Sequence, residues 1–144
     1  MSIDEMLVSM FMDGTYRRNV LSTPSETLGY VMALNASNSN FVHIWPGKNV
    51  SEASLSVIAG NASRRLVIAR QIPDSSGNMV AGRLIDTEIE SEAETIEFLT
   101  EDMISTMFFL LRETVTSQRA LEVVSFYFIN GCLPENSTWR MPRM

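Results

Sequence analysis

The chain has 144 residues, a formal net charge of −6 and a pI near 4.7, with 45% apolar and 19% charged residues. That is enough chain for one real core and short of the length at which a second domain is expected. The acidic balance argues against a nucleic-acid coat, and no apolar run, Met107 to Leu111 included, is longer than five residues, far too short to span a membrane.

In chain order, Ser2 and Glu5 form a capping-box pair ahead of Ile3, Met6, Leu7, Met10 and Phe11 at helical spacing, closed by Asp13-Gly14. This predicts a short amphipathic N-terminal helix. Its apolar face, Ile3, Met6, Leu7, Met10 and Phe11, is the expected interface of a homodimer. Thr23-Pro24-Ser25-Glu26 reads as a second helix start, although Leu28, Tyr30, Met32 and Leu34 fit a strand as well. Residues 41–45 are β-rich and end at Pro46-Gly47, whereas 50–59 fit either state. Arg65 to Ile72, the turn Pro73 to Asn78 and Met79 to Ile89 predict a β-hairpin.

From Thr95 to about Gln118, Ile96, Leu99, Met103, Met107, Leu110 and Leu111 make one stripe at helical spacing, so a long amphipathic helix is expected there. Leu121 to Ile129 is dense in Val, Phe and Tyr and reads as a buried strand closed by Asn130-Gly131. The expected fold is α+β over residues 1–132: a single antiparallel sheet, the helix at about 95–118 packed on it, and a short N-terminal helix. An irregular tail occupies 133–144.

The chain has one Cys and one His, and it contains no phosphate-binding, nucleophile-elbow or zinc-protease motif. No cofactor and no metal site are expected, and a lone His or Cys is ordinarily structural; a His43 and Cys132 hydrolase dyad is the enzymatic alternative. Arg64-Arg65, after the turn Gly60 to Ser63, is a candidate anion site, because paired guanidiniums grip carboxylate or phosphate bidentately.

The most unusual pattern is Asp86-Thr87-Glu88-Ile89-Glu90-Ser91-Glu92-Ala93-Glu94. An extended chain would place these alternating carboxylates on one face, where they repel unless solvent or a cation relieves them. Asp86, Glu88, Glu90 and Glu92 are therefore candidate contacts to a basic protein partner. In size, charge and a hairpin followed by a long helix, the chain resembles bacterial type III secretion chaperones. The expected function is a small acidic, non-enzymatic protein-binding module, chaperone- or adaptor-like. The alternatives are an immunity or phage inhibitor protein masking a basic enzyme surface, and a viral assembly accessory protein. With an acidic N-terminus and no possible intrachain disulfide, a bacterial or viral protein of the cytoplasm is expected, with no nucleic-acid or membrane partner.

Overall fold

A computed structural model describes residues 3–47, 53–73, 76–99 and 105–141. Its centre is a mostly antiparallel sheet of eight strands, flanked by one main helix and one short helix. Strands β1 (Met6–Met12) and β2 (Thr15–Ser22) form a hairpin, and helix α1 (Pro24–Met32) follows. Strands β3 (Phe41–Pro46), β4 (Ser54–Ile58), β5 (Arg64–Pro73) and β6 (Met79–Leu84) continue as a meander. A separate hairpin, β7 (Thr95–Leu99) and β8 (Thr106–Leu110), leads through a 3-10 turn (Leu111–Glu113) to the two-residue β9 (Val115–Thr116). Helix α2 (Ser117–Asn130) and β10 (Trp139–Arg140) complete the chain. The sheet order is β10-β6-β5-β4-β3-β1-β2, with β9 added beside β5.

Alternation along the central strands sends side chains to two different cores. Met6, Val8, Met10, Val42, Ile44, Leu55, Val57, Val67 and Ala69 face α1 and α2. On the opposite face Phe41, Ile58 and Leu66 pack with Phe98 of β7, joined by Phe11, Ile96 and Phe109. The β7–β8 hairpin is thus a lid on the second face, and the sheet is covered on both sides over its middle.

This two-sided burial explains where the sequence reading departs from the structure. Residues 6–12 are a strand, not a helix: Met6, Val8, Met10 and Met12 alternate into the helix-side core while Leu7 and Phe11 point the other way. With both faces apolar, the segment satisfies helical and strand spacing together. For the same reason the segment 95–118 is a hairpin, a 3-10 turn and the start of α2 rather than one long helix; Met103 and Ile104 lie outside the described residues. The main helix is 14 residues long and begins where that stripe was expected to end. It replaces the strand expected at 121–129, because Ala120, Val123, Val124 and Phe128 recur on one buried face. Thr116 accepts a hydrogen bond from the Arg119 amide at its start. Gly131, with φ 71°, supplies the left-handed residue at its end.

Other expectations hold. Thr23 and Glu26 form a capping box on α1, residues 41–45 lie in β3, and β5 and β6 form a hairpin. The ambiguous 50–59 segment contains β4. The expected irregular tail holds β10, whose Trp139 and Arg140 pair with Leu84 and Arg83 of β6. No helix among the described residues is long and apolar enough to cross a membrane.

Tyr127 on α2 packs against the helix-side core, and burial raises the pKa of its hydroxyl. The native state therefore holds that proton to higher pH than the unfolded chain does. The associated stability is complete below the unfolded value of about 10 and is lost as pH rises through the raised native value. In denaturation curves above pH 9, Tyr127→Phe should lessen the alkaline decline; an unchanged decline would mean that this hydroxyl contributes nothing to it.

Candidate functional site

The acidic run is a loop, not a strand. Strand β6 ends at Leu84, and residues 85–94 are pinned by backbone hydrogen bonds: the Ile85 amide to the Thr138 carbonyl and the Asp86 amide to the Arg112 carbonyl, each 2.8 Å. The Ser91 hydroxyl oxygen accepts from the Ala93 and Glu94 amides at 3.2 and 3.0 Å, an ST-type turn that fixes the far end.

The carboxylates of the loop divide into anchors and presented groups. Asp86 forms an ion pair with Arg64 at 2.8 Å, the two side chains being only 16% and 12% exposed, and Asp86 also accepts from the Glu88 amide. Glu92 is gripped by both guanidinium-bearing neighbours, Arg140 at 2.9 Å and Arg112 at 3.1 Å. Glu88, Glu90 and Glu94 are exposed and have no ion pair among the described residues. Of the four predicted partner contacts, then, the structure presents Glu88 and Glu90 and uses Asp86 and Glu92 to hold the loop.

The loop runs directly into β7, and the Leu111 amide donates to the Glu94 carbonyl at 2.8 Å. On the hairpin's outward face Glu97, exposed and unpaired among the described residues, stands opposite Phe108, which is 68% exposed. Neighbouring Met107 is 53% exposed. A large aromatic ring so exposed beside carboxylates has the composition of a protein contact, where aromatic anchors are set within a polar rim. Sequence reasoning assigned the run Met107 to Leu111 to the buried stripe of a helix and so missed Phe108. Strand alternation, with Ile96 and Phe98 inward, was the signal that would have found it.

Between the loop and α2 lies a polar cleft of about 390 Å³, lined by Asp86, Glu88, Thr116, Arg119, Glu122 and Asn136 among others. Glu122 holds Arg119 at 3.5 Å across exposed surface, so the pair is loosely fixed.

The other candidates are dispersed. Arg64 donates to Thr114 Oγ1 at 3.1 Å and to the Thr114 carbonyl at 2.6 Å besides pairing with Asp86. Arg65 is buried, and its guanidinium donates to the carbonyls of Asn61, Arg64 and Leu34; burial lowers its pKa. Both guanidiniums are committed to the chain's own oxygens. In the expected dimer face, Met6 and Met10 are fully buried in the chain's own core, Leu7 and Phe11 lie on the other side of the sheet, and Ile3 packs beside α2, its amide donating to the Phe128 carbonyl. These residues do not make one surface. His43 Nδ1 shares a 2.6 Å hydrogen bond with Ser56 Oγ on the lid-side face, its ring 4.6 Å from that of Phe41. Cys132 is exposed at the end of α2, on the helix side, so the structure does not bring the two together. Among the described residues no group of three His, Cys, Asp or Glu side chains is arranged to hold a metal.

No family model, no curated protein and no solved structure matches the chain.

Proposed function

We propose that the chain is a non-enzymatic protein-binding module that engages a basic protein through loop 85–94 and the outward face of β7–β8. The observation that carries this reading is the exposed Phe108 opposite Glu97, continuous with a loop whose Glu88, Glu90 and Glu94 have no ion pair among the described residues. The ring supplies apolar area at the centre of a contact, and the carboxylates steer a cationic surface toward it.

The anchoring of the loop favours one version of this reading, an inhibitor that masks a basic enzyme surface. Asp86 and Glu92 hold the backbone in place before any partner arrives, which removes part of the ordering cost of association. A masking protein gains most from such preorganisation.

The test compares wild type with the triple variant Glu88→Gln, Glu90→Gln, Glu94→Gln and with Phe108→Ser, each first shown to fold. Partner is captured from the native host and the association is then timed. The triple variant should associate more slowly than wild type at low salt, and the difference should shrink as the Debye length falls from about 30 Å at 0.01 M to about 8 Å at physiological strength. Phe108→Ser should mainly speed dissociation, with a loss of about 2 kcal/mol if the ring is an anchor. Equal capture by all three proteins at low salt would retire the proposal.

A further inference from the structure

Arg64 and Arg65 bind the chain's own oxygens, and the fold assembles a different set of arginines, distant in sequence, on the lid-side face. A groove of about 560 Å³ runs between the end of the sheet and β8. Its apolar side is formed by Ile68, Ala81, Leu110 and Met141. Arg70, Arg83 and Arg140 bring three guanidiniums to it, against the single carboxylate of Glu113.

Strand register explains the convergence. Arg83 is the cross-strand partner of Ile68 on one side and of Arg140 on the other, and Arg70 lies two residues beyond Ile68 on the same face. Glu113, almost buried, divides its charge between Arg83 at 3.2 Å and Arg140 at 3.6 Å. Arg140 is further neutralised by Glu92, and Arg83 lies 5.1 Å over the ring of Phe109. Arg70 is exposed and has no ion pair among the described residues. The groove therefore keeps a positive local charge within a chain of net charge −6.

We propose that this groove binds a carboxylate carried on an apolar body. The planar fork of a guanidinium matches a carboxylate, Arg70 and Arg83 stand on either side of Ile68 to receive one, and the apolar wall takes the attached chain. The volume lies in the range of small-ligand sites. Two sources share this chemistry, a free organic acid and the C-terminal residue of a peptide. This inference does not rest on the protein-binding reading: its residues are neither the presented carboxylates nor Phe108, and the tested Arg70 has no part in anchoring the loop, which Arg140 joins through Glu92.

Amide NMR titrations of the full chain test it with four probes: 3-phenylpropionate, the uncharged 3-phenylpropanamide, inorganic phosphate, and an acetylated tripeptide ending in phenylalanine with a free carboxylate. Saturable shifts at Ile68, Ala81, Gly82 and Leu110 are expected with 3-phenylpropionate or the tripeptide, and not with the amide or phosphate. Tighter binding of the tripeptide assigns the peptide terminus, and equal or weaker binding assigns the free acid. Arg70→Gln, which breaks no ion pair or side-chain hydrogen bond among the described residues, should weaken the carboxylate probe about tenfold while leaving the fold intact. The proposal is overturned if neither carboxylate saturates these residues, if the amide binds as well as the acid, if phosphate alone saturates them, or if Arg70→Gln binds like wild type.

Discussion

Replacing Gly60 by alanine is expected to lift the β7–β8 hairpin from the sheet and to cost about 3 kcal/mol, the sum of overpacking and lost burial of the Phe98 ring. Gly60 lies against β7 so closely that a Cβ there would stand 2.2 Å from the Leu99 carbonyl oxygen and 2.8 Å from its nitrogen. Both are backbone atoms and cannot rotate away. The same approach allows the Leu99 amide to donate to the Gly60 carbonyl at 2.8 Å, while Asn61 Nδ2 donates to the Glu97 carbonyl at 3.2 Å. The extra methyl group breaks this seam, and Phe98, almost wholly buried between Phe41, Ile58 and Leu66, loses its cover. Urea denaturation gives the cost, and hydrogen exchange at the amides of β7 and β8 locates it. A cost below about 1 kcal/mol with unchanged exchange would show that the hairpin yields without detaching. Gly29→Ala is the matching control. It lies in α1 with no atom within 4 Å of the added Cβ, so the same change should stabilise by about 0.5–1 kcal/mol through helix propensity.

Arg64→Ala should be comparably severe, about 3 kcal/mol, and Asp86→Ala distinctly milder. Arg64 joins three parts of the chain: it starts β5, pairs with Asp86 of the acidic loop and donates to Thr114 beside β9. Without it, Asp86 remains as a nearly buried carboxylate with no counter-charge, and the Thr114 carbonyl loses a 2.6 Å donor. Without Asp86, the guanidinium retains Thr114 and the Leu111 carbonyl as acceptors. An unpaired anion is therefore the costlier remainder. The two single variants and the double variant, compared by chemical denaturation, form a cycle that isolates the pair. Equal costs for the single changes would mean that the carbonyl contacts carry little. Because the pair anchors loop 85–94, both changes should also weaken partner capture indirectly, unlike the Gln substitutions at Glu88, Glu90 and Glu94.

What the sequence discloses follows from how local each signal is. The capping box of Thr23 and Glu26 is decided within a few residues, and the structure contains it; β3 ends at Pro46, and Gly47 after it has the positive φ of 76° that favours glycine. Residues 6–12 and 95–110 are decided by burial on two faces at once, a tertiary property. When both faces are apolar, a density that fits period two also fits 3.6. The segment 121–129 fails for the opposite reason: Val123, Val124, Phe126 and Phe128 favour a strand by propensity, and packing against the sheet outweighs it. The caps Thr116 and Gly131 carried the correct information. The acidic run was legible as composition, yet nothing local tells that Asp86 and Glu92 are paired with arginines of the same chain. Their partners, Arg64, Arg112 and Arg140, come from three separate elements.

One edge of the sheet has a consequence for solubility. Strand β2 closes the order with eight residues and no strand beyond it among the described residues, an open row of backbone donors and acceptors. Such a row is a template for intermolecular strand addition, and aggregation starts at edges of this kind. Here Val8 pairs with Val20 but Met10 pairs with Arg17, so Arg18 and Asn19 together stand opposite Ser9; Asn19 adopts φ 53°, and its amide donates to Ser9 Oγ at 3.0 Å. The bulge twists the edge out of register with an incoming strand, and the adjacent guanidiniums of Arg17 and Arg18 repel the same edge of another molecule. Protection of this edge against strand addition is thus expected from three consecutive residues, Arg17, Arg18 and Asn19, with the overall negative charge acting only at longer range.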